Sequence, residues 1–177
     1  ALNLLMNGNV FFYYGEELGM KGSGKDENKR APMYWSKDGN AEGMCKGPAD
    51  MDDFRMKFDS LEEQQEDPDS IYNYVKQVIR VRNQNPVIAR GTTAYLEQYS
   101  GEQCFALTRS YEGSNLLLLG NTSAEAVSVD LTGLTVGGTT AEELVLLGEL
   151  YTGEETAERA GTVVTLPAYS ILILGEE

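Results

Sequence analysis

The chain contains no histidine in 177 residues. Without an imidazole there is no Ser-His-Asp or Cys-His triad, and most zinc sites are excluded too. Cysteine is nearly as scarce. Cys45 and Cys104 fall in opposite halves, form no CxxC spacing and read as free, structural thiols. No apolar run approaches the roughly 20 residues of a membrane-spanning helix. Positive charge is in deficit: 14 Lys and Arg stand against 28 Asp and Glu, a net charge of −14. Phosphate-rich partners, meaning nucleic acid and anionic membranes, are repelled by such a balance. The acidic excess reads as a solvated surface.

What is present is organised around Val10 to Ser36, VFFYYGEELGMKGSGKDENKRAPMYWS. The run Val10 to Tyr14 is short, apolar and aromatic, bounded by Asn7-Gly8-Asn9 and by Gly15. That pattern predicts a strand buried on both faces, as in a parallel sheet. Glu16 and Glu17 stand where the strand ends, followed by a Gly-rich charged loop, Arg30 and Pro32-Met33-Tyr34-Trp35. Polar and aromatic groups just past the C-terminal end of a parallel strand are where barrel enzymes keep their chemistry. Upstream, Ala1 to Met6 predicts the end of a helix stopped by Asn7-Gly8. Downstream, Ser60 and Glu63 fit a capping box, and Asp67-Pro68 fits the start of a helix with an apolar stripe of Ile71, Val75, Val78 and Ile79. Asn85-Pro86 ends it.

The motifs YYGEELGM, DENKRAPMYW and QQEDPDSIYNYVKQVIRVRNQNP occur in that order. Together they closely resemble the alpha-amylase family of glycoside hydrolases (family thirteen). They are similar to the eighth strand of its (β/α)8 barrel, the long loop after it and the eighth helix. The resemblance implies an α+β chain: the last βα unit of a TIM barrel in residues 1–88, then an all-β antiparallel sandwich of the amylase C-terminal type in 89–177. A complete barrel takes roughly 250 residues, so the chain reads as part of a larger enzyme.

For the parent, the resemblance implies a retaining glycosidase acting on α-glucosidic bonds of starch or maltooligosaccharides. Its nucleophile, acid and third carboxylate lie on strands four, five and seven, so this chain is expected to hold no catalytic residue and to be inactive alone. Glu16 and Glu17 do not replace them. Retaining glycosidases hold two carboxyls about 5 Å apart around one sugar, whereas adjacent residues of a strand point to opposite faces. One is expected to support the barrel mouth and the other to pair with a basic loop residue. Arg30 has two readings. The resemblance makes it a boundary of the terminal-sugar subsite, paired with an Asp near the first strand; its own loop offers Asp26 or Glu27 instead. Tyr34 and Trp35, the only Trp, either stack on sugar rings or, for Trp35 together with Pro32 and Met33, anchor the loop. Arg30, Tyr34 and Trp35 are the candidate substrate-binding residues.

Other patterns carry less chemistry. Gly22-Ser23-Gly24 lacks the strand–GxxxxGK–helix setting of a phosphate cradle. Asp50-Met51-Asp52-Asp53, within the polar stretch 37–59, lacks the spacing and closing Glu of a calcium loop. No metal and no cofactor is expected. From Gly91 the period becomes alternating, with strands predicted at 93–99, 103–110, 115–121, 125–131, 143–147, 162–166 and 169–174. Turns are expected at Ser100-Gly101-Glu102, Glu112-Gly113-Ser114 and Thr152-Gly153-Glu154, and Leu116 to Leu119 and Ile171 to Leu174 are placed centrally. A lone barrel strand has two unpaired edges. The segment Ala1 to Ser36 is therefore expected to be rearranged, paired with a second copy of the chain or covered by the rest of the barrel. Outside enzymes, the chain reads as a non-catalytic carbohydrate-binding or assembly module, or as part of a solute-transporter accessory protein.

Overall fold

A computed structural model describes residues 1–38, 42–53 and 56–176; the 37–59 stretch lies partly outside these. The helices are α1 (Leu2–Leu5), α2 (Leu61–Glu66), α3 (Ile71–Gln84) and α4 (Pro86–Arg90). The strands are β1 (Thr92–Tyr95), β2 (Cys104–Tyr111), β3 (Ser114–Asn121), β4 (Val127–Asp130), β5 (Thr135–Val136), β6 (Thr139–Thr140), β7 (Val145–Leu150), β8 (Glu158–Ala160), β9 (Val163–Leu166) and β10 (Ile171–Gly175). The chain divides into two compact units, one of Ala1–Val10 with Gln77–Glu177 and one of Phe11–Lys76.

The larger unit is built on an antiparallel sheet in the order β1-β2-β3-β10-β7, beside a three-stranded sheet β4-β9-β8 and the hairpin β5-β6. Its core follows from side-chain alternation. Leu117 and Leu119 of β3 and Leu172 and Leu174 of β10 join Val129, Val164 and Leu166 of the second sheet in one buried cluster. The intervening Leu116, Leu118 and Ile173 are also buried, on the face where Val81 of α3 closes over Gly148 and Ile173. Both faces of β3 and β10 are covered, which is why these two runs lack polar residues. Leu118 pairs with Ile173 and Leu107 across the ladders.

In the same unit α1 is a single turn whose C-terminal carbonyls would be orphaned. Arg82 of α3 takes one of them and two carbonyls of the exit that follows: Nη1 donates to Leu4 O and Met6 O, and Nη2 to Gly8 O, each at 2.6 Å. Arg109 of β2, fully buried, donates from Nη2 to Leu5 O at 3.1 Å.

Three expectations need correction. Val10–Tyr14 forms no strand; Phe11 is 89% exposed and Phe12 to Tyr14 are exposed as well. A parallel strand exists only through its neighbours, and no described segment offers this one a ladder. The helix starts at Ile71, not behind Asp67: the Ser70 hydroxyl accepts the Asn73 N–H at 3.2 Å. Thr152-Gly153-Glu154 is not a hairpin turn, because β7 pairs with β10 and β8 with β9. The Glu112-Gly113 turn does join β2 to β3. The hairpin β5-β6 and the short β8 had no strand signal of their own.

Candidate functional site

The candidate residues lie in the smaller unit. Gly15 takes φ +86°, and a Cβ there would stand 2.7 Å from the Met20 sulfur, so the chain turns sharply straight after the aromatic run. A short 3-10 turn, Glu16–Leu18, follows and buries Leu18 completely. Buried Gln64 of α2 holds that turn from below, donating to Leu18 O at 3.0 Å and Asp59 O at 2.8 Å while accepting the Tyr72 N–H at 3.1 Å. Glu17 places Oε2 in the interior without a hydrogen-bond partner among the described residues. No ion pair joins Glu16 or Glu17 to a basic loop residue among the described residues, contrary to expectation.

A second 3-10 turn, Asp26–Arg30, is organised by Asn28. Its Nδ2 donates to Ser23 O and to Asp52 Oδ2, both at 2.8 Å, and its Oδ1 accepts the Asp52 N–H at 2.9 Å. Lys25 closes on the same carboxylate at 2.7 Å. The Asn28 hydrogen bond, followed by that of Lys25, holds the Asp52 carboxyl below its usual pKa. Asp52 is thus a loop clip.

Arg30 pairs with Asp26, one of the two partners its own loop offered, and both side chains are largely exposed. The loop beyond is held at both ends. The Tyr14 hydroxyl donates to Ala31 O at 3.0 Å; partial desolvation and then Tyr13 raise its pKa. At the far end the first N–H groups of α2 find acceptors on this loop, Leu61 N–H on Tyr34 O at 2.9 Å and Glu62 N–H on Trp35 O at 3.1 Å. The expected capping box forms, with the Glu63 carboxylate taking the Ser60 N–H at 3.1 Å. Lys37 reaches Glu63 at 2.9 Å. Lys37 first, then the Ser60 groups, lower the Glu63 pKa to about 2.

Tyr34 and Trp35 are therefore adjacent on a strapped loop. Trp35 remains 45% exposed, and the Tyr34 hydroxyl donates to Lys37 O at 3.2 Å. Arg30 stands on the preceding turn, with no hydrogen bond to either aromatic among the described residues. Sequence reasoning missed Asn28 and Gln64. Neither sits in a pattern that marks burial; their roles depend on acceptors supplied by other segments. Cys45 and Cys104 are unpaired thiols, Cys45 exposed.

Short helices and strapped loops followed in sequence by antiparallel sheets define an α+β chain. The family model described as "Alpha amylase, catalytic domain" matches residues 1–91, and the chain belongs to the alpha-amylase family of glycoside hydrolases.

Among curated proteins it is 28% identical over 142 residues to a trehalose synthase of Thermus thermophilus, covering 74% of this chain and 15% of that protein. It is 26% identical over 181 residues to an alpha-amylase of Streptomyces lividans, covering 98% of this chain and 18% of that one. Among solved structures, Eubacterium rectale Amy13B superposes with a TM-score of 0.91 at 42% identity, over 99% of this chain and 33% of that one. The alpha-amylase from H. orenii gives a TM-score of 0.73 at 27% identity, over 99% of this chain and 34% of that one. The chain thus spans about a third of these solved relatives and less than a fifth of these curated ones.

Proposed function

We propose that the chain is the C-terminal part of an alpha-amylase-like retaining glycoside hydrolase acting on α-glucosidic bonds of starch or maltooligosaccharides. Residues 1–88 close the catalytic barrel and residues 89–177 form the supporting β-domain. The reactive carboxylates belong to the rest of the enzyme, so the chain alone is inactive. Arg30, Tyr34 and Trp35 contribute one wall of the sugar site. The partner is the remainder of the barrel, or a second copy of the chain covering the same surface.

The observation that carries this reading is the strapped loop. Tyr34 and Trp35 carbonyls cap α2, the Tyr14 hydroxyl holds Ala31, and the Trp35 ring is left open. Two tests apply. Incubation of the 177-residue chain with maltooligosaccharides or a chromogenic α-glucoside is expected to give no turnover; enzymatic rates would contradict the proposal. In the reassembled enzyme, Trp35→Ala and Arg30→Ala are expected to raise KM or lower kcat, and unchanged kinetics in both would remove them from the sugar wall.

A further inference from the structure

We propose that the larger unit carries a second saccharide-binding cleft, distinct from the loop of Arg30 and Trp35, at the hairpin end of β2 and β3. The cleft measures about 620 Å³ and is lined by Gln84, Asn85, Arg90, Tyr111, Glu112 and Glu176, among others. Small-molecule sites occupy roughly 300–1,000 Å³, so a short saccharide fits.

Its wall is pre-ordered. Asn115 Nδ2 donates to Glu176 Oε2 at 3.3 Å and the Thr139 hydroxyl donates to Oε1 at 3.2 Å. A carboxylate so held keeps lone pairs for further donors. Asn85 spends its Nδ2 on Val81 O at 2.8 Å, and its Oδ1 meets no donor among the described residues. The Arg90 guanidinium lies over the Tyr111 ring, 5.9 Å from its centre, without a carboxylate partner among the described residues.

The rim carries an outlier. Glu112 and Gly113 take φ +50° and +87°, the left-handed pair of a two-residue hairpin turn that favours Asn, Asp or Gly at its first position. A glutamate held there is strained, and strained residues cluster at functional sites. This one lines the cleft.

The lining selects the ligand class. One cation against two carboxylates disfavours phosphates and other anions. An apolar ligand would leave Asn85, Gln84 and Arg90 desolvated without partners. Neutral vicinal hydroxyls donate to Glu112, Glu176 and Asn85 and accept from Arg90 and Gln84.

The test is titration of the full chain with maltotriose, followed by backbone amide NMR. Saturable shifts are expected at Gln84, Asn85, Arg90, Tyr111 and Glu112. Arg90→Gln and Glu112→Gly are each expected to weaken binding about tenfold, the loss of one charge-assisted hydrogen bond. Glu112→Gly suits the turn and keeps the fold, which thermal unfolding verifies. No shifts at these residues, shifts confined to Tyr34 and Trp35, or unchanged affinity in both variants would overturn the proposal. The loop reading stands or falls separately on Trp35→Ala.

Discussion

Replacing Arg109 with methionine is expected to stabilise the protein. The guanidinium is fully buried. Its Nη2 has one acceptor, Leu5 O at 3.1 Å, while Nε and Nη1 have none among the described residues. Burial, and then the like charge of Arg82, lower its pKa. Each buried donor without a partner costs about 1–3 kcal/mol, and the one hydrogen bond from a charged group returns about 1.5–3 kcal/mol. Methionine keeps most of the apolar stem and removes both the charge and the orphaned donors, at the expense of leaving Leu5 O unmatched. Relief of the orphaned donors is roughly cancelled by the lost hydrogen bond and the unmatched Leu5 O, so removal of the buried charge tips the balance toward Arg109→Met, by about 1 kcal/mol. Arg82→Met is expected to act in the opposite sense. It strips hydrogen bonds of 2.6 Å from Leu4 O, Met6 O and Gly8 O, a loss of about 2–4 kcal/mol. Urea unfolding at constant m-value reads both changes; thermal shifts of about 2–4 °C per kcal/mol corroborate them. If Arg109→Met destabilises by more than about 2 kcal/mol, the guanidinium is satisfied, for example by ordered water, and the reasoning from orphaned donors fails.

Glu63, lowered to about pH 2 by Lys37 and Ser60, binds fewer protons folded than unfolded. Its contribution is whole above its ordinary value of 4.5 and drains away as pH falls toward 2. Urea unfolding of Glu63→Gln is therefore expected to show a shallower loss of stability across that acid window than the parent; parallel curves would refute it. Leu118, buried on β3 between Leu107 and Ile173, is expected to cost about 3–5 kcal/mol on truncation to Ala, read by the same unfolding. Asn28→Ala removes the hydrogen bonds to Ser23 O and Asp52. A loss of about 2 kcal/mol and earlier proteolytic cleavage near Gly22 and Ser23 are expected, and an unchanged cleavage rate would show that the Asn28–Asp52 hydrogen bonds do not hold the loop.

Much of the larger unit is written in local signals. The unbroken apolar runs Leu116–Leu119 and Ile171–Leu174 announce strands covered on both faces, and β3 and β10 occupy the centre of the main sheet. Glu112-Gly113 announces its turn, and Ser60 with Glu63 announces the cap of α2. Local signals fail where a residue's state depends on a distant partner. Nothing about Arg109 in the alternation of β2 says that its guanidinium is interior, because the acceptor, Leu5 O, is 104 positions away. Gln64 looks like any glutamine of a polar helix until Leu18 O, 46 positions away, claims its amide. In the candidate site, the residue types of Arg30, Tyr34 and Trp35 were readable; the Asp26 pairing was one of two local options, and the strapping of the loop to α2 was not readable at all.

The run Val10–Tyr14 separates composition from state. A sequence records the surroundings it is suited to, and Val-Phe-Phe-Tyr-Tyr is suited to strands on either side. The structure leaves Phe11 89% exposed, with Phe12, Tyr13 and Tyr14 also exposed, four large aromatics in succession open to an interaction. Tyr13 and Tyr14 meet at 4.7 Å between ring centres, which shields little of them. Burying such aromatics is worth about 1.5–3 kcal/mol each, enough to drive association with whatever offers the missing neighbours. Sedimentation of the isolated chain is thus expected to report self-association that weakens when Phe11 and Tyr13 are both changed to Ser. A strict monomer whose residues 10–14 are protected from hydrogen exchange would mean that the run satisfies itself, and the case for a barrel stave awaiting its neighbours would be lost.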